Sequence, residues 1–268
     1  MVKKRLIFTL LYDKGQFMLS RNFRLQKVGD LGWLQTHYNF SKISYSIDEL
    51  IVLDVSRTGR SYNAFCDSLK ELTQGCFVPI AAGGGIRSIE DAQQLLRSGA
   101  DKIVVNTALF EDEDLIAALA EEFGQQCIVG ATDIKRAPNG EFQIWVRSGS
   151  VCVDGSAASW IAKIAHRPIG ELYLNSMDRD GTGQGYDFQL LELVAAEVNK
   201  PLILAGGAGN AAHLAEGLAD QRVDAVATAH LFNFVGDGLK QARLALIAGG
   251  VELPLWDIHL LEQHLGMT

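Results

Sequence analysis

Apolar and polar positions along this chain switch between two periods. Near-continuous apolar runs of strand length recur at residues 5–11 (RLIFTLL), 49–55 (ELIVLDV), 78–82, 102–105, 127–132, 171–175, 201–205 and 225–228, as in strands buried on both faces. Between them the spacing becomes helical over residues 31–40, 63–73, 88–98, 112–123, 157–165, 188–198, 212–218 and 239–248, with Ser88 or a neighbour as a cap. Two segments break the rhythm. Residues 15–29 read as a polar, basic loop, and residues 135–155 as an insertion whose alternation around Asn139-Gly140 predicts a β-hairpin. Residues 255–264 read as one more helix.

The pattern repeats internally. VPIAAGGGIRSIEDAQQLLRSGADKIVVNTALF, ending at Phe110, returns as PLILAGGAGNAAHLAEGLADQRVDAVATAHLF, ending at Phe232, with Gly83 and Gly206 equivalent. Each copy is an apolar run, a glycine cluster, a helical segment and a second apolar run, which is one βαβ unit used twice. Eight strand-helix alternations in two similar halves predict an α/β fold, a (β/α)8 TIM barrel with a β-hairpin after strand five, as a single domain over residues 1–268.

A net charge of −8 argues against nucleic-acid or anionic-membrane partners, which are normally met by a basic face. Cys66, Cys76, Cys127 and Cys152 are scattered, without CxxC pairs or metal-ligand spacing, so they predict reduced thiols in a cytoplasmic protein with no metal and no redox cofactor. The first apolar run follows two lysines but is too short for a signal peptide and is closed by Tyr12-Asp13-Lys14.

In a parallel barrel the loops after the strands form the active face. The strand ends place Asp133, Asp180, the glycine clusters, Asn106, Thr107, Ala229 and His230 there. Glycines after strands three and seven allow backbone N–H groups to approach an anion, so two copies suggest two phosphates; tight turns that need glycine for space are the competing explanation. Asp133 alternates with Ala131 and Val129 and so stands inward at the mouth, where desolvation would raise its pKa toward neutrality and suit it to proton transfer; a surface carboxylate paired with Lys135 or Arg136 is the alternative. The 122-residue offset from Glu49 to Glu171 makes Leu11 the equivalent of Asp133, with Asp13 two residues beyond. At the other end, Arg5, Glu49, Lys102 and Glu171 each open a strand and together would close the floor as a ring of opposite charges.

RLIFTLL, IDELIVLDV, the AGGGIRSIEDAQQLLRSGADKIVVNTALF block, TDIKR, LNSMDRDGTGQGYD and ILAGGAGN, in this order, resemble the cyclase (HisF-type) subunit of imidazole glycerol phosphate synthase. The resemblance implies a barrel that receives ammonia from a glutaminase (HisH-like) subunit, as a heterodimer, and closes an imidazole ring on a bis-phosphorylated ribotide. It implies an ammonia gate at Arg5, Glu49, Lys102 and Glu171, and a glutaminase interface near Asp101. It further implies catalysis by Asp133, a substrate contact by Asp180, and phosphate binding at Gly85, Asn106 and Thr107 and at Gly206, Gly207, Ala229 and His230.

The chain departs from that pattern. The family's second catalytic aspartate falls on Leu11, a loop lysine on Leu19, a serine on His230 and a threonine on Asn175. Divergent paralogues with leucine at the first of these positions resemble synthases that amidate sugars in surface-glycan assembly. Three expectations follow: a sugar-amidating, ammonia-accepting subunit; a histidine-pathway cyclase; or a non-catalytic phosphate-binding barrel that activates a glutaminase.

Overall fold

The computed structural model describes residues 3–38 and 43–255. Eight parallel strands close on themselves: β1 (Arg5–Asp13), β4 (Glu49–Asp54), β5 (Ile80–Gly83), β6 (Lys102–Val105), β7 (Ile128–Arg136), β10 (Glu171–Ser176), β11 (Leu202–Ala205) and β12 (Ala225–Thr228), with β12 pairing back onto β1. Helices α1 (Leu31–Tyr38), α2 (Tyr62–Thr73), α3 (Ile89–Arg97), α4 (Ala108–Glu111), α5 (Glu113–Phe123), α6 (Ala157–His166), α7 (Ala211–Ala219) and α8 (Gly238–Ala248) lie outside it. This is the expected (β/α)8 barrel.

Local chemistry sets several helix starts. Ser88, Asp112 and Asn210 accept the backbone N–H groups of Asp91, Leu115 and His213, satisfying donors that the first helical turn leaves free. Two apolar layers result. One, between strands and helices, includes Phe8, Leu69, Leu95, Ile161 and Leu214. The other fills the lumen with Ile7, Ile51, Ala81, Val104, Val129, Tyr173, Ile203 and several alanines.

Two expectations need correction. Residues 15–29 are not a loop: β2 (Gln16–Arg21) and β3 (Arg24–Gly29) form an antiparallel hairpin on the end of β1. Its turn places Asn22 and Phe23 at φ 50° and 62°, conformations that the sequence does not announce with a glycine. The span 188–198 forms only a 3₁₀ segment, Phe188–Leu193, whose first turn is capped by the Asp187 side chain accepting the Gln189 N–H. The hairpin expected around Asn139-Gly140 forms, its first strand being the end of β7, which runs on to Arg136 and pairs with β8 (Phe142–Val146), followed by β9 (Val151–Cys152). The helix expected over residues 255–264 lies, apart from its first residue, outside the described residues.

Candidate functional site

The floor is a closed circuit of charge. Arg5 contacts Glu49 at 2.7 Å and Glu171 at 2.5 Å, and Lys102 contacts the same two carboxylates at 3.1 Å and 2.5 Å. The four side chains are 1–21% exposed, with Glu49 the most enclosed. Burial pushes Glu49 up, only partly offset by Lys102 and Arg5; on Glu171 burial acts the same way, but Arg5 and Lys102 prevail and hold it low. Such a ring adds little stability for the desolvation it costs, yet removing one member strands a buried charge.

Above the ring, the described residues that fill the lumen are apolar except for Thr9 and Tyr173. The Thr9 hydroxyl is buried and has no aligned hydrogen-bond partner, although it lies near enough to the Tyr173 phenol to offset part of that group's desolvation. Burial holds the Tyr173 phenol protonated.

Asp133 sits at the top of β7, level with Asn175 on β10. Its two carboxylate oxygens accept one amide each, from Asn175 at 2.8 Å and Asn106 at 3.0 Å. It keeps an opening onto the cavity, but desolvation pushes its pKa up to about 6, against the pull of the two amides and with repulsion from Asp180. A carboxylate so poised is mostly ionised at neutral pH and can take a proton. Glu171, Tyr173 and Asn175 follow one another at two-residue spacing along β10, so one inward face runs from the floor ring to the Asp133 clamp.

The cavity over this mouth holds about 990 Å3. Gly85, Asn106, Thr107, Asp133, Asp180, Gly206, Gly207, Ala229 and His230 all line it, as does Leu11. Gly85 and Gly207 need their lack of a side chain: at φ 74° and 108°, an added Cβ would lie 1.9 Å from the Arg60 guanidinium and 2.1 Å from the Gly185 carbonyl. His230 is held below its ordinary pKa by burial, despite the Asp180 carboxylate, so it is neutral near pH 7.

Some predicted residues occupy other roles. The Asp180 carboxylate accepts Ser20 Oγ at 2.5 Å and Phe23 N–H at 2.9 Å, fastening the β2–β3 hairpin across the cavity. Asp13 is not among the lining residues; its carboxylate accepts Ser56 Oγ at 2.7 Å, away from the place left by Leu11. Leu19 pairs with Gln26 inside the hairpin and does not line the cavity either. Asp101, at the floor side, accepts the Ile80 N–H at 2.8 Å, and Asp224 does the same for Leu202 in the second half.

Sequence patterns alone do not reveal Arg57, Arg60, Arg87 and Arg147, which gather at the Gly85 end. Nor do they reveal directly the pairing of Asn106 and Asn175 on one carboxylate. The half-barrel offset holds a signal for the latter, since Leu53, which pairs with Leu11, is equivalent to Asn175, which pairs with Asp133.

Residues 36–236 match the family model described as "Histidine biosynthesis protein". The chain is 48% identical over 243 residues, 91% of its length and 90% of the relative's, to the "Putative imidazole glycerol phosphate synthase subunit hisF2" of Parasynechococcus marenigrum. It is 36% identical over 257 residues to the imidazole glycerol phosphate synthase subunit HisF of Caulobacter vibrioides, covering 95% of this chain and 97% of that one. With the HisF subunit of Alkaliphilus metalliredigens it shares 34% over 235 residues, 87% of this chain and 92% of the relative.

Proposed function

From the premise that this chain belongs to the HisF-type cyclase family of histidine-biosynthesis barrels, we propose that it is the ammonia-accepting synthase subunit of a glutamine amidotransferase pair. A HisH-like glutaminase docks at the floor near Asp101 and releases ammonia beneath the Arg5–Glu49–Lys102–Glu171 ring. Ammonia rises through the lumen to Asp133. There its lone pair attacks an electrophilic carbon of a phosphorylated or activated sugar-type substrate, and the leaving group departs with the bonding electrons. The Asp133 carboxylate takes the proton that the new C–N bond sheds. Amidation during surface-glycan assembly fits this site.

One observation carries the reading: Asp133, its pKa raised by burial, stands at the lumen mouth clamped by two amides, while its half-barrel equivalent is Leu11. Ring closure by an acid and a base needs a second proton-transfer group; Asp13 is tied to Ser56, and Asp180, the other cavity carboxylate raised by burial, accepts Ser20 Oγ and the Phe23 N–H. The second reading, cyclisation of the histidine-pathway ribotide, is favoured by the HisF names of two relatives covering nearly the whole chain.

The test is transfer of 15N from 15NH4Cl to a panel of nucleotide-activated sugars by the purified chain. We expect label in product, reduced at least about 100-fold in Asp133→Asn. Labelling that Asp133→Asn leaves intact contradicts the role of Asp133. No labelling of any sugar contradicts the amidation reading and leaves cyclisation or a barrel that only activates its glutaminase.

A further inference from the structure

Between the floor ring and Asp133 one side chain reaches across the barrel. Tyr173 stands on β10 and Thr9 on β1, with β11 and β12 between them, yet the Tyr173 phenol comes close enough to the Thr9 hydroxyl to recover part of its lost solvation. The two intervening strands give the cavity only Ala205 and Ala227, so the ring has room to lie over them. The cavity ends at this level. Thr9, Tyr173, Ala131, Ala205 and Ala227 line its lower wall, whereas neither Ile7, two residues deeper on β1, nor the four floor charges line it.

The Thr9 hydroxyl is out of place as a packing element. Thr9 is 2% exposed, and its Oγ1 has no hydrogen-bond partner among the described residues. Valine has the same shape and would avoid the cost of an orphaned hydroxyl. No ionised group stands at this level among the described residues. The Tyr173 phenol is held protonated by burial. Glu171, one inward step down β10, is held by Arg5 and Lys102, and Asp133, one inward step above Ala131, already accepts two amides.

We propose that Thr9 and Tyr173 together bind one neutral molecule of water's size that both donates and accepts hydrogen bonds, and that ammonia stops there on its way from the floor ring to Asp133. Ammonia can accept one hydroxyl proton on its lone pair and donate an N–H to the other oxygen. Ammonium has no lone pair, so it can only donate, and it would bury a charge with no free partner. The pair is thus a neutral checkpoint that water fills at rest. This inference rests on the reading of the lumen as the ammonia route and adds the place where charge is excluded.

The test has a crystallographic arm and a kinetic arm. In crystals of the wild-type chain, one solvent-sized peak is expected within about 3.2 Å of both Thr9 Oγ1 and Tyr173 Oη, and it should vanish in Thr9→Val. A soak in rubidium chloride, whose cation has about the size of ammonium, should leave no anomalous peak there. In the 15N assay, Thr9→Val and Tyr173→Phe keep the shape of the lumen and are each expected to raise the KM for ammonium by roughly 3–10-fold, the loss of one hydrogen bond, with the effect falling on KM rather than kcat. Thr9→Ser, which keeps the hydroxyl, should restore the wild-type KM, and coincident melting curves check the fold. An empty site or a rubidium peak in it overturns the proposal, as does an unchanged KM in both variants beside a wild type that transfers 15N. The crystallographic arm needs no turnover, so a filled, rubidium-free site without 15N transfer would contradict the amidation reading alone, and 15N transfer over an empty site would contradict this one alone.

Discussion

The two halves of the barrel share a scaffold and differ in what they mount on it. β1 and β7 are equivalent strands of nine residues, each continuing into an antiparallel hairpin over the active face. At their tops the first half pairs Leu11 with Leu53 and the second pairs Asp133 with Asn175. The floor shows the same division. Glu49 and Glu171 are equivalent, but both cations come from the first half, where Arg5 and Lys102 stand in place of Cys127 and Ala225. The repeat supplies backbone geometry and capping, as the matched Asp101 and Asp224 contacts show, while the floor cations and the Asp133 carboxylate each stand in one copy only.

The largest expected effect of breaking that asymmetry is kinetic. Asp133→Asn keeps shape and removes the carboxylate at the lumen mouth, so turnover should fall by about 10²–10⁴-fold in steady-state assays. Next, Lys102→Ala should cost about 3 kcal/mol in denaturant unfolding, because it leaves Glu49, 1% exposed, without one of its two cations. An unchanged unfolding midpoint would mean that the ring is solvated enough to tolerate the gap.

A third effect has the opposite sign. The Asp133 pKa is raised from 3.8 to about 6 on folding, so its contribution to stability is full below about pH 3.8 and is lost as pH rises through about 6. Asp133→Asn, which never ionises, should therefore be more stable than the wild type above pH 6, by up to about 3 kcal/mol, and equal to it near about pH 3. A stability difference independent of pH would contradict the raised pKa. Smallest is Asn175→Thr. Losing an amide that favours the ionised carboxylate should move the acid limb of the pH–rate profile, which rises to a plateau above about pH 6, to higher pH by a fraction of a unit.

Much of the fold and part of the site are legible in the order of residues alone. Buried parallel strands write themselves as apolar runs, and the repeated GGG and GGAG clusters mark both cavity ends because positive-φ turns require glycine. The inward parity of Arg5, Glu49 and Glu171 brings the floor charges to one end. The β2–β3 hairpin is hidden because its turn is Asn22-Phe23, without the usual Asn-Gly signal, and what fastens it is Asp180, more than 150 residues away. The arginine cluster is hidden for a similar reason: its members come from three separate loops, and only the closed barrel assembles them. Asp180 reads correctly as a cavity residue, but no local pattern marks Ser20 and Phe23 as the groups that occupy its carboxylate.

The most direct test of what Leu11 costs the active face is ammonium-driven ring closure of the histidine-pathway ribotide by the purified chain, run beside Leu11→Asp and Asp133→Asn. No closure above background is expected of the wild type, and a measurable gain is expected of Leu11→Asp, where the first half regains the group that the second already has. Closure by the wild type that is lost in Asp133→Asn would contradict this expectation, showing that one carboxylate suffices and that this chain is a cyclase despite Leu11.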